Sequence, residues 1–190
     1  MNIVIDNYDS FTYNLVQYIG EINSHVKVFK NDEVSIDGIL NLKPEHIIIS
    51  PGPGRPENSG ITIEVINRLK NKIPILGICL GHQAIGYCHG AKITNANEIF
   101  HGKTSEIYHK RDLIFKNIKD PFLATRYHSL IIDKKSLNNN FEVIAWTKSN
   151  IVMGIKHKNL PLYGLQFHPE SILTSDGLQI IKNFLNEDIR

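Results

Sequence analysis

The chain has 190 residues, 42% hydrophobic and 21% charged, with 21 Lys+Arg against 19 Asp+Glu; this is ordinary globular composition at the size of one domain, and it excludes disorder and fibre. No basic run is longer than Lys110-Arg111 or Lys134-Lys135, so the charge footprint of a nucleic-acid binder is missing and no such partner is expected. The start, Met1-Asn2-Ile3-Val4-Ile5-Asp6, lacks the regions of a secretory signal, and the longest apolar stretch, Ile73 to Leu80, is far below the ~20 residues of a membrane span, so no membrane is expected either.

In chain order, the first signal is Ile3-Ile5, apolar at every position. Strands buried on both faces of a parallel sheet have that texture, and nearly continuous apolar runs recur at Val26-Phe29, Ile47-Ile49 and Ile75-Ile78. Between the first two, Phe11, Leu15, Tyr18, Ile19 and Ile22 repeat at helical spacing, with Ser10 placed as the N-cap. Thr62 to Lys70 repeats the pattern with Ile63, Ile66 and Leu69. Strand-helix alternation implies right-handed βαβ units. Asp6 and Asp9 close the first strand. A receiver-type acidic site would need a further acid where the third strand ends in Ser50-Pro51, so Asp6 is expected to brace the turn instead.

Directly after the third strand comes Ser50-Pro51-Gly52-Pro53-Gly54-Arg55-Pro56. Its prolines remove N–H donors that a phosphate cradle needs. A rigid turn presenting the Gly54 N–H suits an oxyanion better, although a plain strand-to-helix turn would need no function.

The fourth strand runs into Gly77-Ile78-Cys79-Leu80-Gly81 and then the helix-like His82-Gln83-Ala84-Ile85-Gly86-Tyr87-Cys88. The flanking glycines permit a sharp, strained turn that lifts one side chain above the sheet edge, the mechanics of a nucleophile elbow. A thiol at a helix N-terminus is favoured as thiolate, the nucleophilic form, and the Leu80 N–H would pair with that of Gly54 as an oxyanion donor. A small buried hydrophobe in a tight turn is the plain alternative. Zinc held by Cys79, His82, Cys88 and His89 is disfavoured, because Cys88 and His89 lie about 100° apart on a helix, and no metal is expected. The two cysteines are read as free thiols in a reducing compartment.

Past Gly90 the strand-like segments are short and alternating: Thr104-Tyr108, Ser129-Ile132, Val143-Trp146, Ile151-Ile155 and Tyr163-Phe167, an antiparallel extension. The last delivers His168 at its end and Glu170 two residues on, and alternation puts both on one side. His168 can then act as base toward Cys79 with Glu170 as its orienter, unless it is merely a satisfied histidine beside a solvated carboxylate. His25, His46, His109 and His157 lie in polar surroundings and are expected to be solvated. A final helix, about Ser175 to Asn186, carries Leu178, Ile181 and Leu185. The expected fold is α/β, a mainly parallel, flavodoxin-like sheet flanked by helices, with the antiparallel extension in its second half and residues 1–190 forming a single domain.

Six blocks together carry a resemblance: Asp6 to Leu15, Ser50 to Gly54, Gly77 to Gln83, His101-Gly102-Lys103-Thr104, Tyr127-His128-Ser129-Leu130 and Gln166-Phe167-His168-Pro169-Glu170-Ser171. Over essentially its whole length the sequence resembles the class I, triad-type glutamine amidotransferases, and within them the glutaminase subunits of anthranilate synthase and aminodeoxychorismate synthase. The resemblance implies Cys79 as nucleophile, His168 as base and then acid, Glu170 as orienter, and Gly54 and Leu80 as oxyanion donors. It implies L-glutamine held by Gly52, Pro53, Gly54, Gln83, Ser129 and Leu130, and no cofactor in this chain. Ammonia would pass to a chorismate-binding synthase large subunit carrying its own Mg²⁺, a separate chain because the glutaminase takes up these 190 residues. Asn7 to Phe11, the Cys79 face and Tyr127 to Leu130 are expected near that interface. The expected product is anthranilate for tryptophan biosynthesis; aminodeoxychorismate for folate biosynthesis and a stand-alone γ-glutamyl hydrolase are the alternatives. The expected location is the cytoplasm, or the plastid stroma if the chain is plastid-encoded.

Overall fold

The structure, a computed structural model, describes residues 1–23 and 25–186. The elements are β1 (Asn2–Asp6), α1 (Thr12–Ile22), β2 (Val26–Lys30), α2 (Ile36–Asn41), β3 (His46–Ile49), α3 (Thr62–Leu69), β4 (Ile75–Ile78) and α4 (Leu80–Cys88). Then follow β5 (Ile93–His109), β6 (Phe122–Ile132), β7 (Phe141–Thr147), β8 (Val152–His157), β9 (Leu162–Leu165) and α5 (Gly177–Asn186). Among the described residues these strands form one sheet in the order β2-β1-β3-β4-β9-β8-β7-β5-β6. Pairing is parallel from β2 across to β9 and antiparallel from β9 to β6, so the sheet is mixed as the patterning predicts, except that β9, read as part of the antiparallel extension, pairs parallel with β4 and antiparallel with β8.

Strand alternation explains why β1, β3 and β4 are apolar on both faces. Val4, Ile48, Leu76 and Ile78 face Leu15 and Ile19 of α1 and Ile180, Ile181 and Phe184 of α5. Ile3, Ile5, Ile47, Ile49 and Ile75 face Ile36 and Ile39 of α2, Val65, Ile66 and Leu69 of α3, and Ala84 and Ile85 of α4. Helices therefore cover both faces, and neither set of side chains meets water.

The structure corrects several expectations. β2 is an edge strand with no fully buried residue, because only β1 pairs with it. Ser10 does not cap α1: Asp9 Oδ1 accepts from Phe11 N at 2.8 Å, while Asp6 Oδ1 takes Thr12 Oγ1 at 2.7 Å and Asp9 N at 3.2 Å. The buried stripe of α3 is Thr62, Val65, Ile66 and Leu69, with Ile63 only partly covered. That of α5 is Gly177, Ile180, Ile181 and Phe184, with Leu178 exposed. His109 and His157 are buried, not solvated. The His109 ring packs 4.6 Å from Phe115, and that of His157 lies 5.1 Å from Phe141. His46 is half-buried against Phe184, 5.4 Å between centroids. Among the described residues no helix is long and apolar enough to cross a membrane.

Candidate active site

The C-terminal ends of β1, β3, β4 and β9 lie side by side, the edge at which open parallel sheets hold ligands. Each delivers a segment singled out above: Asn7 to Phe11, Ser50 to Gly54, Cys79, and Gln166 to Glu170. Cys79 stands between β4 and α4 with φ +50° and ψ −98°, a left-handed conformation that a cysteine adopts only under constraint. The constraint is visible. Cys79 N donates to Leu165 O at 2.8 Å and Gln83 N donates to Cys79 O at 3.0 Å. A Cβ on Gly77 would fall on the Gly81 carbonyl, and one on Gly81 would come within 2.8 Å of Ile49 O, so the strand-to-helix approach requires glycine at both positions.

Cys79 opens onto a cavity of about 200 Å³ whose walls include Gly52, Pro53, Gly54, Leu80, Gln83, Ser129 and Leu130. This is below the size of drug-binding pockets and suits a small substrate. The geometry thus brings the predicted oxyanion donors and glutamine contacts to one place. As first residue of α4, Leu80 has an N–H with no acceptor inside the helix. Gln83 Nε2 donates to Leu130 O at 3.0 Å, so two of the predicted contacts are bonded to one another.

His168 is held from both backbone sides. Its N–H donates to Thr125 O at 3.0 Å and its carbonyl accepts from Thr174 Oγ1 at 2.8 Å. The imidazole lies between Tyr127 and Phe11, with centroids at 5.1 and 5.7 Å, and its Nδ1 donates to Glu170 Oε1 at 2.6 Å. Both partners are buried. Burial opposes charge on the ring, but the Glu170 carboxylate and the Cys79 sulfur outweigh it, and the pKa of His168 is raised well above the ordinary histidine value. Among the described residues its Nε2 has no conventional hydrogen-bond partner. An imidazole that is oriented and held basic, with one nitrogen open toward a thiol, can remove and return a proton.

Residues to which the sequence assigned no catalytic or glutamine-binding role complete the site. Gln166 is fully buried, donating from Nε2 to Cys79 Sγ at 3.5 Å and accepting at Oε1 from Gln83 Nε2 at 3.2 Å. The signal for it exists: 166, 168 and 170 alternate onto one side of an extended chain. Asn7 ties β1 to the proline-glycine turn, its N–H to Ser50 Oγ at 2.9 Å and its Nδ2 to Ser50 O at 3.0 Å. His128, which lines the cavity, accepts at Nε2 from Arg126 Nε at 3.0 Å; burial and that guanidinium push its pKa down to about 3, so the ring is neutral. Phe11 is turned inward onto Tyr127 and His168, whereas Tyr8 faces solvent and donates its hydroxyl to Asp32 at 2.8 Å.

The zinc alternative finds no convergence. His82 is wholly buried in α4 and pushed down to about 3 by burial, His89 Nδ1 turns to Ile85 O at 2.8 Å, and Cys88 Sγ points to Ile63 O at 3.9 Å. Among the described residues no three His, Cys, Asp or Glu side chains cluster as metal ligands. Cys79 and Cys88 are both free thiols.

Residues 3–187 match the family described as glutamine amidotransferase class-I. The chain is 55% identical over 189 residues to anthranilate synthase component 2 of Porphyra purpurea, covering 99% of this chain and 100% of that one. It is 49% identical over 185 residues to the aminodeoxychorismate/anthranilate synthase component 2 of Bacillus subtilis, covering 97% and 95%. It is 53% identical over 191 residues to the bifunctional protein TrpGD of Thermotoga maritima, covering 99% of this chain but only 32% of that longer protein. The crystal structure of a glutamine amidotransferase from Thermotoga maritima superposes with a TM-score of 0.77 at 14% identity, covering 100% and 97%, which bears on the fold alone.

Proposed function

The chain belongs to the class-I glutamine amidotransferase family, and from that premise we propose that it hydrolyses L-glutamine through Cys79, His168 and Glu170 and hands the ammonia to a synthase partner. The observation that carries this is the strained Cys79 elbow opening onto a small cavity beside a buried, carboxylate-bound imidazole.

Sγ of Cys79 attacks the carboxamide carbon of glutamine as its proton passes to His168 Nε2. The carbonyl oxygen becomes an oxyanion facing the Leu80 and Gly54 N–H groups; losing one such donor typically costs about 10²–10³ in rate. His168 returns the proton to the leaving nitrogen, ammonia departs, and a γ-glutamyl thioester remains. Water attacks the thioester with His168 again taking a proton, Sγ is expelled, and glutamate is released. The chain's own residues carry every step without a cofactor.

Released ammonia is lost as nucleophile once protonated, so a sheltered path into a bound partner fits this chemistry. Components of anthranilate and aminodeoxychorismate synthases among the relatives support a chorismate-binding partner. So does the apolar surface flanking the site: Ile172 and Leu173, which directly follow Ser171, are 89% and 56% exposed, and Tyr8 and Tyr13 are exposed on either side of Phe11. We assign anthranilate as the product, aminodeoxychorismate being the second reading that the Bacillus subtilis relative favours, with action in the cytoplasm or plastid stroma. Ammonia release from glutamine, measured for the wild type and Cys79→Ser with and without a chorismate-using synthase chain, tests it. Release that needs Cys79 and rises with the partner is expected, and the aromatic product names the pathway. Release that survives Cys79→Ser would overturn the mechanism.

A further inference from the structure

Gln166 is wholly buried against the nucleophile, and none of the steps above uses it. Its backbone N–H is fixed to Met153 O at 2.9 Å. Its amide orientation is fixed too. Gln83 Nε2 already donates to Leu130 O at 3.0 Å and to Gln166 Oε1 at 3.2 Å, and a flipped Gln166 would set two NH₂ groups against each other. Nε2 must therefore face Cys79 Sγ, where it lies at 3.5 Å.

The sulfur has a second neighbour, the Tyr127 carbonyl, to which the thiol donates at 3.8 Å. The two contacts favour opposite protonation states. A carbonyl can only accept, so it holds S–H; an amide N–H can only donate, and donation strengthens when the acceptor carries charge. We propose that Gln166 is a further catalytic residue, its side-chain N–H stabilising the Cys79 thiolate as it forms and again when it is expelled from the thioester. This rests on Cys79 being the nucleophile. When the proton leaves Sγ for His168 Nε2, the Tyr127 contact is lost and the Gln166 contact tightens. In the acyl-enzyme the thioester sulfur is a weak acceptor, and the bond recovers as water's attack drives Sγ out. Gln166 itself makes and breaks no covalent bond. The titratable groups facing the sulfur are His168, with Glu170 behind it, from the segment after β9; Tyr127 and His128 from β6 line the same cavity.

The test is carbamidomethylation of Cys79 by iodoacetamide in the purified full chain as a function of pH, followed on the Cys79 peptide by mass spectrometry so that Cys88 is counted separately. Wild type is compared with Gln166→Met, which removes the N–H at similar volume, and Gln166→Leu, which removes it in a shorter apolar side chain; both add no charge beside the sulfur and leave Gln83 its bond to Leu130 O. In both variants the rate near neutral pH is expected to fall roughly tenfold or more and the midpoint, a property of the Cys79–His168 pair, to move up by about one unit with the high-pH plateau retained. An unmoved midpoint in variants with wild-type circular dichroism overturns the proposal, and if Gln166→Met does not fold, Gln166→Leu decides. Ammonia release by Cys79→Ala, assayed with the synthase partner, separates the two ideas. If release persists, the nucleophile itself is wrong; if release is abolished while the midpoints stay put, only the role of Gln166 fails.

Discussion

Glu170 Oε1 accepts from His168 Nδ1, and its buried Oε2 has no hydrogen-bond partner among the described residues, so its effect on the reaction runs through one hydrogen bond and one charge. Glu170→Gln keeps the shape and removes the charge. With it goes the attraction that raises the His168 pKa against the cost of burial. The expected result is a kcat lower by about 10²–10⁴-fold, together with an alkaline limb of kcat displaced to lower pH, because the general acid now loses its proton earlier. A pH–rate profile with the limb unmoved would show that the imidazole titrates independently of Glu170. At this scale the triad candidates are legible because each needs only its neighbours: two glycines around Cys79, and alternation from His168 to Glu170. Gln166 lies on the same alternating series, but what it does is decided by Gln83 on α4 and Leu130 on β6, which are remote in sequence.

Within the elements, the same substitution should have opposite signs at two glycines. Gly77→Ala places a methyl on the Gly81 carbonyl and must part β4 from α4, costing about 1–3 kcal/mol and releasing the strained Cys79 backbone, so activity falls as well. Gly20→Ala in α1 meets nothing within 4 Å and should stabilise by about 0.5–1 kcal/mol through helix propensity. Urea unfolding of the two variants checks both, and an equal loss in each would show that the elbow imposes no special constraint. The helices show where local pattern fails. Two stripes are compatible with the apolar residues of α3 and α5, and the sheet chooses Val65 over Ile63, and Ile180 and Phe184 over Leu178. Six-residue α2 is too short for any period, and its start rests on Ser35 Oγ accepting from Gly38 N at 3.1 Å. The long β5–β6 ribbon is interrupted by register shifts that break its alternation, so only fragments of it stand out in the sequence.

For the whole molecule, the parallel-then-antiparallel order is legible because burial on two faces and on one face leave different textures, whereas partners brought together only by the assembled sheet are not. The histidines show the cost of that. His82 and His128 are folded into the interior with pKa values pushed down to about 3, first by burial, and His89 and His157 are lowered in the same direction. As the pH drops from about 6.5 toward 3, the unfolded chain binds protons that the folded chain refuses, so folding stability must fall. His168 acts in the opposite sense. Its raised pKa contributes stability that is fully present below about 6.5 and is lost as the pH rises through the folded value. The stability curve should therefore peak near neutral pH and decline on both sides. Urea midpoints across that range test the shape, and His82→Leu isolates the acid arm. Removing one buried titrating ring should flatten the acid slope by about one proton, or about 1.4 kcal/mol per pH unit, whatever it does to absolute stability. An acid slope identical to the wild type would mean that His82 takes up its proton in the folded protein, which its wholly buried place in α4 opposes.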